Sequence, residues 1–366
     1  MAQPDLPGAA IAFAAALAVA ATTIAARQAK PAYPGTLDDH PAIQYATTPP
    51  TDPVQRLAED VASGKRTLTS EGPSGYLQSV LSALNISMTS QVRVLSKTGI
   101  QKEFTSPANP RQFFFNESTY VGYIPGAPLL ELASHDAQQG MQFYFINQGS
   151  QTPVVARAAK CITCHLSANT LDVPGVIDRS NHIDSSGIPI PQLGFEIVNH
   201  TTPHSERWGG WSANENEIAA LMTFNHQSHA INLMTRINWD WRVRVSNGEK
   251  DLGPELTALV REFADYLMFV DEAPLPSAVT PRPGFAEHFG SRFPRDSKGR
   301  SLADLDLKTR LLKYRCSYMV YSPAFDALPR LIKDAVYARI ADKLSGQPAL
   351  EILRDTKPEF RELRSR

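Results

Sequence analysis

Between residues 91 and 148 the chain alternates short β-branched or aromatic runs with turn residues. Residues 91–95, 112–115, 120–124, 129–133 and 141–146 are of strand length, and Pro107, Asn109, Pro110, Gly126 and Gly140 punctuate them. Runs so closely spaced predict an antiparallel meander. After residue 212 the period changes. Ser212 and Glu215 have the spacing of a capping box, and Ile218, Met222, His226, His229 and Leu233 then share one helical face, which predicts a helix to about Ile237. Further helices are predicted over 254–270, 302–318 and 329–344, the last stopped by Ser345 and Gly346. Upstream, Asp52 and Pro53 read as an N-cap and first helical residue of a helix ending at Gly64, and a second short helix spans 76–84. Residues 166–213 are rich in Gly, Pro and Ser and predict loops. The fold class expected is α+β: a β-rich N-terminal segment, then a mainly helical C-terminal half.

Composition sharpens the outline. At 366 residues, 42% of them hydrophobic and 20% charged, the chain can bury a substantial core. A net charge of −1 gives no electrostatic case for nucleic acid. The Ala-rich apolar run 9–26, followed by Arg27 and Lys30, reads as a signal peptide or N-terminal membrane anchor occupying 1–30, although Asp5 and the lack of a preceding Lys or Arg depart from the usual leader. A Pro- and Thr-rich linker is expected over 31–53, a helical hairpin and β-rich segment over 54–150, a cofactor region over 151–240 and a helical region over 241–366.

The most specific chemistry lies at Cys161-Ile162-Thr163-Cys164-His165. A redox dithiol would need a preceding βαβ pattern, which is missing. A closed zinc site would need a second ligand pair, and the third cysteine, Cys316, is remote and alone. The pentapeptide resembles the haem-attachment motif of the c-type cytochromes. That resemblance implies one covalent haem c, with Cys161 and Cys164 as thioether sites, His165 as axial ligand, maturation outside the cytoplasmic membrane and a redox partner protein. It covers a small part of the chain, and the single motif counts against the di-haem peroxidases, which carry two. More loosely, 113–211 and 301–328 look like large bacterial single-haem proteins of unassigned activity. The haem is expected to be enclosed by the C-terminal half.

The remaining candidates concern the iron's other face and the haem edge. His226 or His229 is expected to face the haem as ligand or distal hydrogen-bond donor, with Met222 as the thioether alternative and His200 as a further imidazole. Arg207 suits a haem propionate and Trp208 the macrocycle, while Arg157, Arg179 and Arg236 are further propionate candidates. His40, His135 and His288 read as solvated, His182 falls in the loop region, and Cys316 reads as helix core. The expected function is an exported, periplasmic or otherwise extracytoplasmic, electron-transfer cytochrome. The alternative is a peroxidase- or oxidase-like haem enzyme with an open distal site, motivated by the chain's size.

Overall fold

Asp52 caps the first helix as the sequence predicts. In the computed structural model, which describes residues 35–362, its carboxylate accepts hydrogen bonds from the N–H groups of Val54 and Gln55 at 2.9 and 3.2 Å. The leader run and its cleavage zone lie outside the described residues. Helix α1 (Pro53–Ala62) and helix α2 (Leu77–Ala83) follow, close to the expected limits. The stretch before them is packed from Ile43 onward: Ile43 and Tyr45 are buried against Val173 and Trp239.

The meander is present and has one strand more than the pattern predicts. Strands β1 (Val92–Val94), β2 (Arg111–Phe115), β3 (Thr119–Tyr123), β4 (Leu129–Asp136), β5 (Gly140–Asn147) and β6 (Val155–Arg157) form one antiparallel sheet whose spatial order is the chain order. Strand β6 is too short to show a period. Phe114, Val121, Leu130, Leu132, Tyr144 and Ile146 face α1 and α2, where they pack on Val54, Leu57, Val80 and Leu81. The opposite face, with Phe113, Phe115, Tyr120 and Phe143, joins the main core.

Beyond the sheet come a one-turn helix, α3 (Ile162–His165), a small ribbon of β7 (Arg179–Asn181) and β8 (Phe195–Ile197), and the longest element, α4 (Glu215–Ser246). Helix α4 differs from its sequence reading. Its N-cap is Asn214, without a side-chain cap, and it runs past Ile237. It is also buried almost all round between Glu217 and Trp239 rather than along one stripe. Phe224 packs on Phe115 and Tyr120 of the sheet, while His226 and His229 meet Tyr266 on the other side. The polar residues of α4 are consequently interior, and they bond to the segments around it: Gln227 donates to the Asn116 carbonyl, and Thr235 meets His135.

Helices α5 (Gly253–Leu267), α6 (Phe285–Ser291), α7 (Pro323–Asp326), α8 (Arg330–Lys343), α9 (Pro348–Thr356) and α10 (Pro358–Glu362) complete the helical half, so the α+β class holds. The helix predicted over 302–318 is absent. Asp304 and Asp306 instead accept hydrogen bonds from the N–H groups of Ser301, Thr309 and Arg310, and Leu307 takes a left-handed φ of 55°. These local side-chain bonds compete with the helical ladder and prevail. Cys316 is therefore buried in irregular chain, not in a helix. Among the described residues no helix is long and apolar enough to cross a membrane.

Candidate functional site

After β6 the chain tightens through a 3-10 turn (Ala159–Cys161) directly into α3. Residues three apart on such a turn share a face, which puts the Cys161 and Cys164 sulfurs side by side. Cys161 is half-buried, Cys164 is exposed, and both are free thiols. Burial, assisted by Glu131 and Cys164, pushes the Cys161 thiol up to about 11. An activated redox dithiol needs the opposite shift, so the structure weighs against that chemistry.

His165 Nδ1 lies 2.9 Å from the Gly175 carbonyl oxygen. A carbonyl can only accept, so Nδ1 carries the proton and Nε2 keeps its lone pair. Burial lowers the pKa of this imidazole and favours the neutral, ligating form. The Phe143 ring braces it at 4.7 Å between centroids. The acceptor is itself held from α4. Asn232 Oδ1 accepts from the Val176 N–H at 3.0 Å, and Asn232 Nδ2 donates to the Val176 carbonyl at 2.9 Å. A Cβ on Gly175 would stand 2.3 Å from Asn232 Oδ1, so this close approach requires glycine.

The sheet face beside the motif is only partly covered. In register, Phe113 lies opposite Gly122, Gly122 opposite Glu131, and Glu131 opposite Phe145. Phe113, Glu131, Ala133 and Phe145 are half-buried although they occupy central strands, as are Cys161, Ile162 and His165. The charges acting on the His165 ring are Glu131, Arg111 and Arg179. Arg111 and Glu131 escaped the sequence reading. Their signal was a charged residue at a core-facing strand position, in phase with Phe113 and Ala133.

These residues fit a covalently attached haem. They offer two thiols on one turn, one exposed and one half-buried, a neutral imidazole with a fixed tautomer, and a half-covered sheet face that carries Phe113, Ala133 and Phe145 beside Glu131. Among the described residues no group of three or more His, Cys, Asp or Glu side chains is arranged to hold a metal ion.

The other predicted ligands gather elsewhere. His226 is wholly buried, with Nδ1 2.8 Å from His200 Nδ1 and Nε2 2.6 Å from Ser317 Oγ. Tyr266 stacks on His200 at 4.0 Å, and Phe269 stacks on His226 at 4.3 Å. His200 Nε2 is buried without a partner. The two imidazoles and the Ser317 hydroxyl form one hydrogen-bonded chain, in which one histidine donates and the other accepts across the Nδ1–Nδ1 contact. Burial, the leading cause for all three imidazoles, lowers His200 to about 3, His229 to about 4 and His226 well below its ordinary value. Arg207 is also interior, donating to the carbonyls of His200 and Thr202 at 2.5–3.0 Å. Trp208 is half-buried and lines a groove of about 640 Å³ with His204, Leu275 and Val279.

The sequence-predicted residues thus form two groups. Cys161, Cys164 and His165 come together at the sheet, while His200, His226, His229 and Arg207 come together behind α4. The two nitrogens of an imidazole point to nearly opposite sides, so His165 Nε2 faces away from Gly175 and from the α4 side chain that holds it. The structure does not bring His200, His226 or His229 to that side, and Met222 is buried on α4. His135, expected in solvent, is buried and bonded to Thr235 Oγ1 at 3.0 Å, because β4 continues through it. His40 is likewise buried, His288 half-buried and His182 exposed. Arg157 bonds to Gln142 and the Tyr45 carbonyl, and Arg236 pairs with Asp240. Comparison of the chain with protein-family models, curated proteins and solved structures finds no match.

Proposed function

We propose that this chain is an exported c-type cytochrome carrying one haem c, with Cys161 and Cys164 as thioether sites and His165 as axial ligand, and that it exchanges electrons with a redox partner protein. The observation that supports this most is the pinned imidazole. His165 donates its Nδ1 proton to the Gly175 carbonyl and keeps its Nε2 lone pair directed away, on the same turn as two thiols, one exposed and one half-buried. Bound there, haem supplies a one-electron iron couple whose potential the surroundings tune. Gly175 and Asn232 keep the imidazole in one tautomer and orientation, as partners behind a metal ligand do. Phe143 restricts ring rotation, and Phe113 and Phe145 offer apolar surface that excludes water from the macrocycle. Cys161 and Cys164 would hold the group by thioethers, each thiol S–H adding across a vinyl group with sulfur on one carbon and hydrogen on the other.

A second reading, a haem enzyme with an open distal position, is favoured by one observation. Both nitrogens of His226 already have protein partners, so this imidazole is not free to become the sixth ligand. Two measurements decide. Haem stain in a denaturing gel should follow the wild-type chain and vanish in the Cys161→Ala/Cys164→Ala double variant; stain surviving in the double variant overturns covalent attachment. Carbon monoxide added to the ferrous protein should leave the optical spectrum unchanged in an electron carrier, whereas a shifted Soret band assigns the open-site enzyme.

A further inference from the structure

Two guanidinium groups flank His165, and each holds a buried donor with no acceptor. Arg111 is 6% exposed, and its Nη2 donates to the Thr98 carbonyl at 2.6 Å. Its Nε has no hydrogen-bond partner, and Glu131 Oε2 stands 3.9 Å away, beyond bonding distance. Arg179 lies with its guanidinium carbon 4.1 Å from the centre of the Phe195 ring, and its Nε too is buried and unpartnered. A backbone accommodation accompanies the first group. Gly99 has a φ of +79°, a backbone conformation that favours glycine, and the Arg111 guanidinium lies against it, with Nη2 2.6 Å from where a Cβ would stand.

Buried charged donors without acceptors are costly, and a guanidinium fork matches a carboxylate in shape and charge. Glu131 Oε2 offsets the Arg111 charge across 3.9 Å without hydrogen-bonding to it. Its Oε1 already accepts from Gln101 Nε2 at 2.9 Å. The geometry points to Arg111 and Arg179 as a clamp for the two propionate carboxylates of the haem attached at Cys161 and Cys164. This inference rests on the cytochrome reading and adds to it the orientation of the macrocycle: its acidic edge lies toward β2 and β7, its vinyl edge toward α3. Arg207 and Arg236, which the sequence also offers, have their forks occupied by the Thr202 carbonyl and by Asp240.

The test is a spectroelectrochemical titration of the mature, haem-stained protein between pH 5 and 8, for the wild type, Arg111→Gln, Arg179→Gln and Arg236→Gln. Loss of a clamping cation leaves more negative charge near the iron, which favours the more positive oxidised form over the reduced one. At the wild-type midpoint the ratio of reduced to oxidised haem should therefore fall at least threefold in Arg111→Gln and Arg179→Gln. Their midpoints should also gain a dependence on pH as a released propionate titrates, while Arg236→Gln should behave as the wild type. If Arg111→Gln does not accumulate, Arg179→Gln, at the half-exposed member, carries the same test. Midpoints and pH profiles unchanged in both variants would overturn the clamp and leave the cytochrome reading standing. A wild-type midpoint that follows added phosphate would assign the two arginines to a free anion and overturn it as well. A wild-type chain without covalent haem would overturn both.

Discussion

Replacing Asn232 by Ala removes the side chain that holds the Gly175–Val176 segment to α4. Two hydrogen bonds are lost, one to the Val176 N–H at 3.0 Å and one to its carbonyl at 2.9 Å. Each contributes about 1 kcal/mol net, and leaving a buried backbone partner unsatisfied raises the cost to about 1–3 kcal/mol apiece. Asn232 is 3% exposed, so water does not readily take its place. The expected destabilisation is therefore about 2–6 kcal/mol, a large share of the roughly 5–15 kcal/mol that holds a typical domain together. Urea unfolding at pH 7 is the assay, followed by tryptophan fluorescence. All 4 tryptophans fall between Trp208 and Trp241, close to this helix in sequence or in space. Asn232→Asp refines the test, because it keeps an acceptor for the Val176 N–H but sets a carboxylate against the Val176 carbonyl. That variant should be least stable at high pH and recover as acid protonates the new carboxyl, which can then donate. A loss below about 0.5 kcal/mol in Asn232→Ala, within the range of ordinary surface changes, would refute the claim that α4 fixes the loop behind the His165 imidazole.

Ser317→Ala should destabilise the fold by about 1–3 kcal/mol, since it removes the partner of His226 Nε2 and the cap that accepts from Met319 N–H; urea titration checks it, and no change in midpoint argues against the His200–His226–Ser317 chain. His135 is buried with its pKa lowered to about 4, so between that value and its unfolded 6.5 the unfolded chain binds the extra proton. Stability should therefore rise with pH across this window, by up to about 3 kcal/mol from this group, and His135→Gln should flatten that slope in pH-resolved unfolding. Asp178 behaves in the opposite sense: burial raises it to about 7, so the folded chain keeps a proton that the unfolded chain has released above about 4. Stability should fall as pH rises through that interval, and Asp178→Asn should recover up to about 4 kcal/mol at pH 8; an unchanged pH profile in this variant would contradict the assignment.

The motif and the meander were legible because each rests on local signals. Three residues at fixed spacing define the Cys-x-x-Cys-His motif, and alternating aromatic runs define β2 to β5 without reference to anything distant. The phantom helix at 302–318 shows the limit of such signals, since the carboxylates of Asp304 and Asp306 redirect the backbone while leaving the apolar spacing intact. The assignment of α4 shows another. Ile218, Met222, His226, His229 and Leu233 do share a face, but the helix is surrounded, so periodicity could not say which neighbour each side chain meets. Arg111 and Glu131 remained hidden because a single charge in a strand becomes informative only when the register shows which face it occupies.

The tie between Val176 and Asn232 has a consequence for the order in which the site matures. Cys161 and Cys164 are synthesised well before residue 232, the residue that steadies the loop behind His165. A chain emerging from its N-terminus thus presents both sulfurs while the imidazole still swings freely. Its orientation is set only when more than sixty further residues have followed and α4 has closed over the loop. Attachment chemistry performed during emergence would meet a flexible peptide, and the finished fold would then lock the iron's geometry from behind.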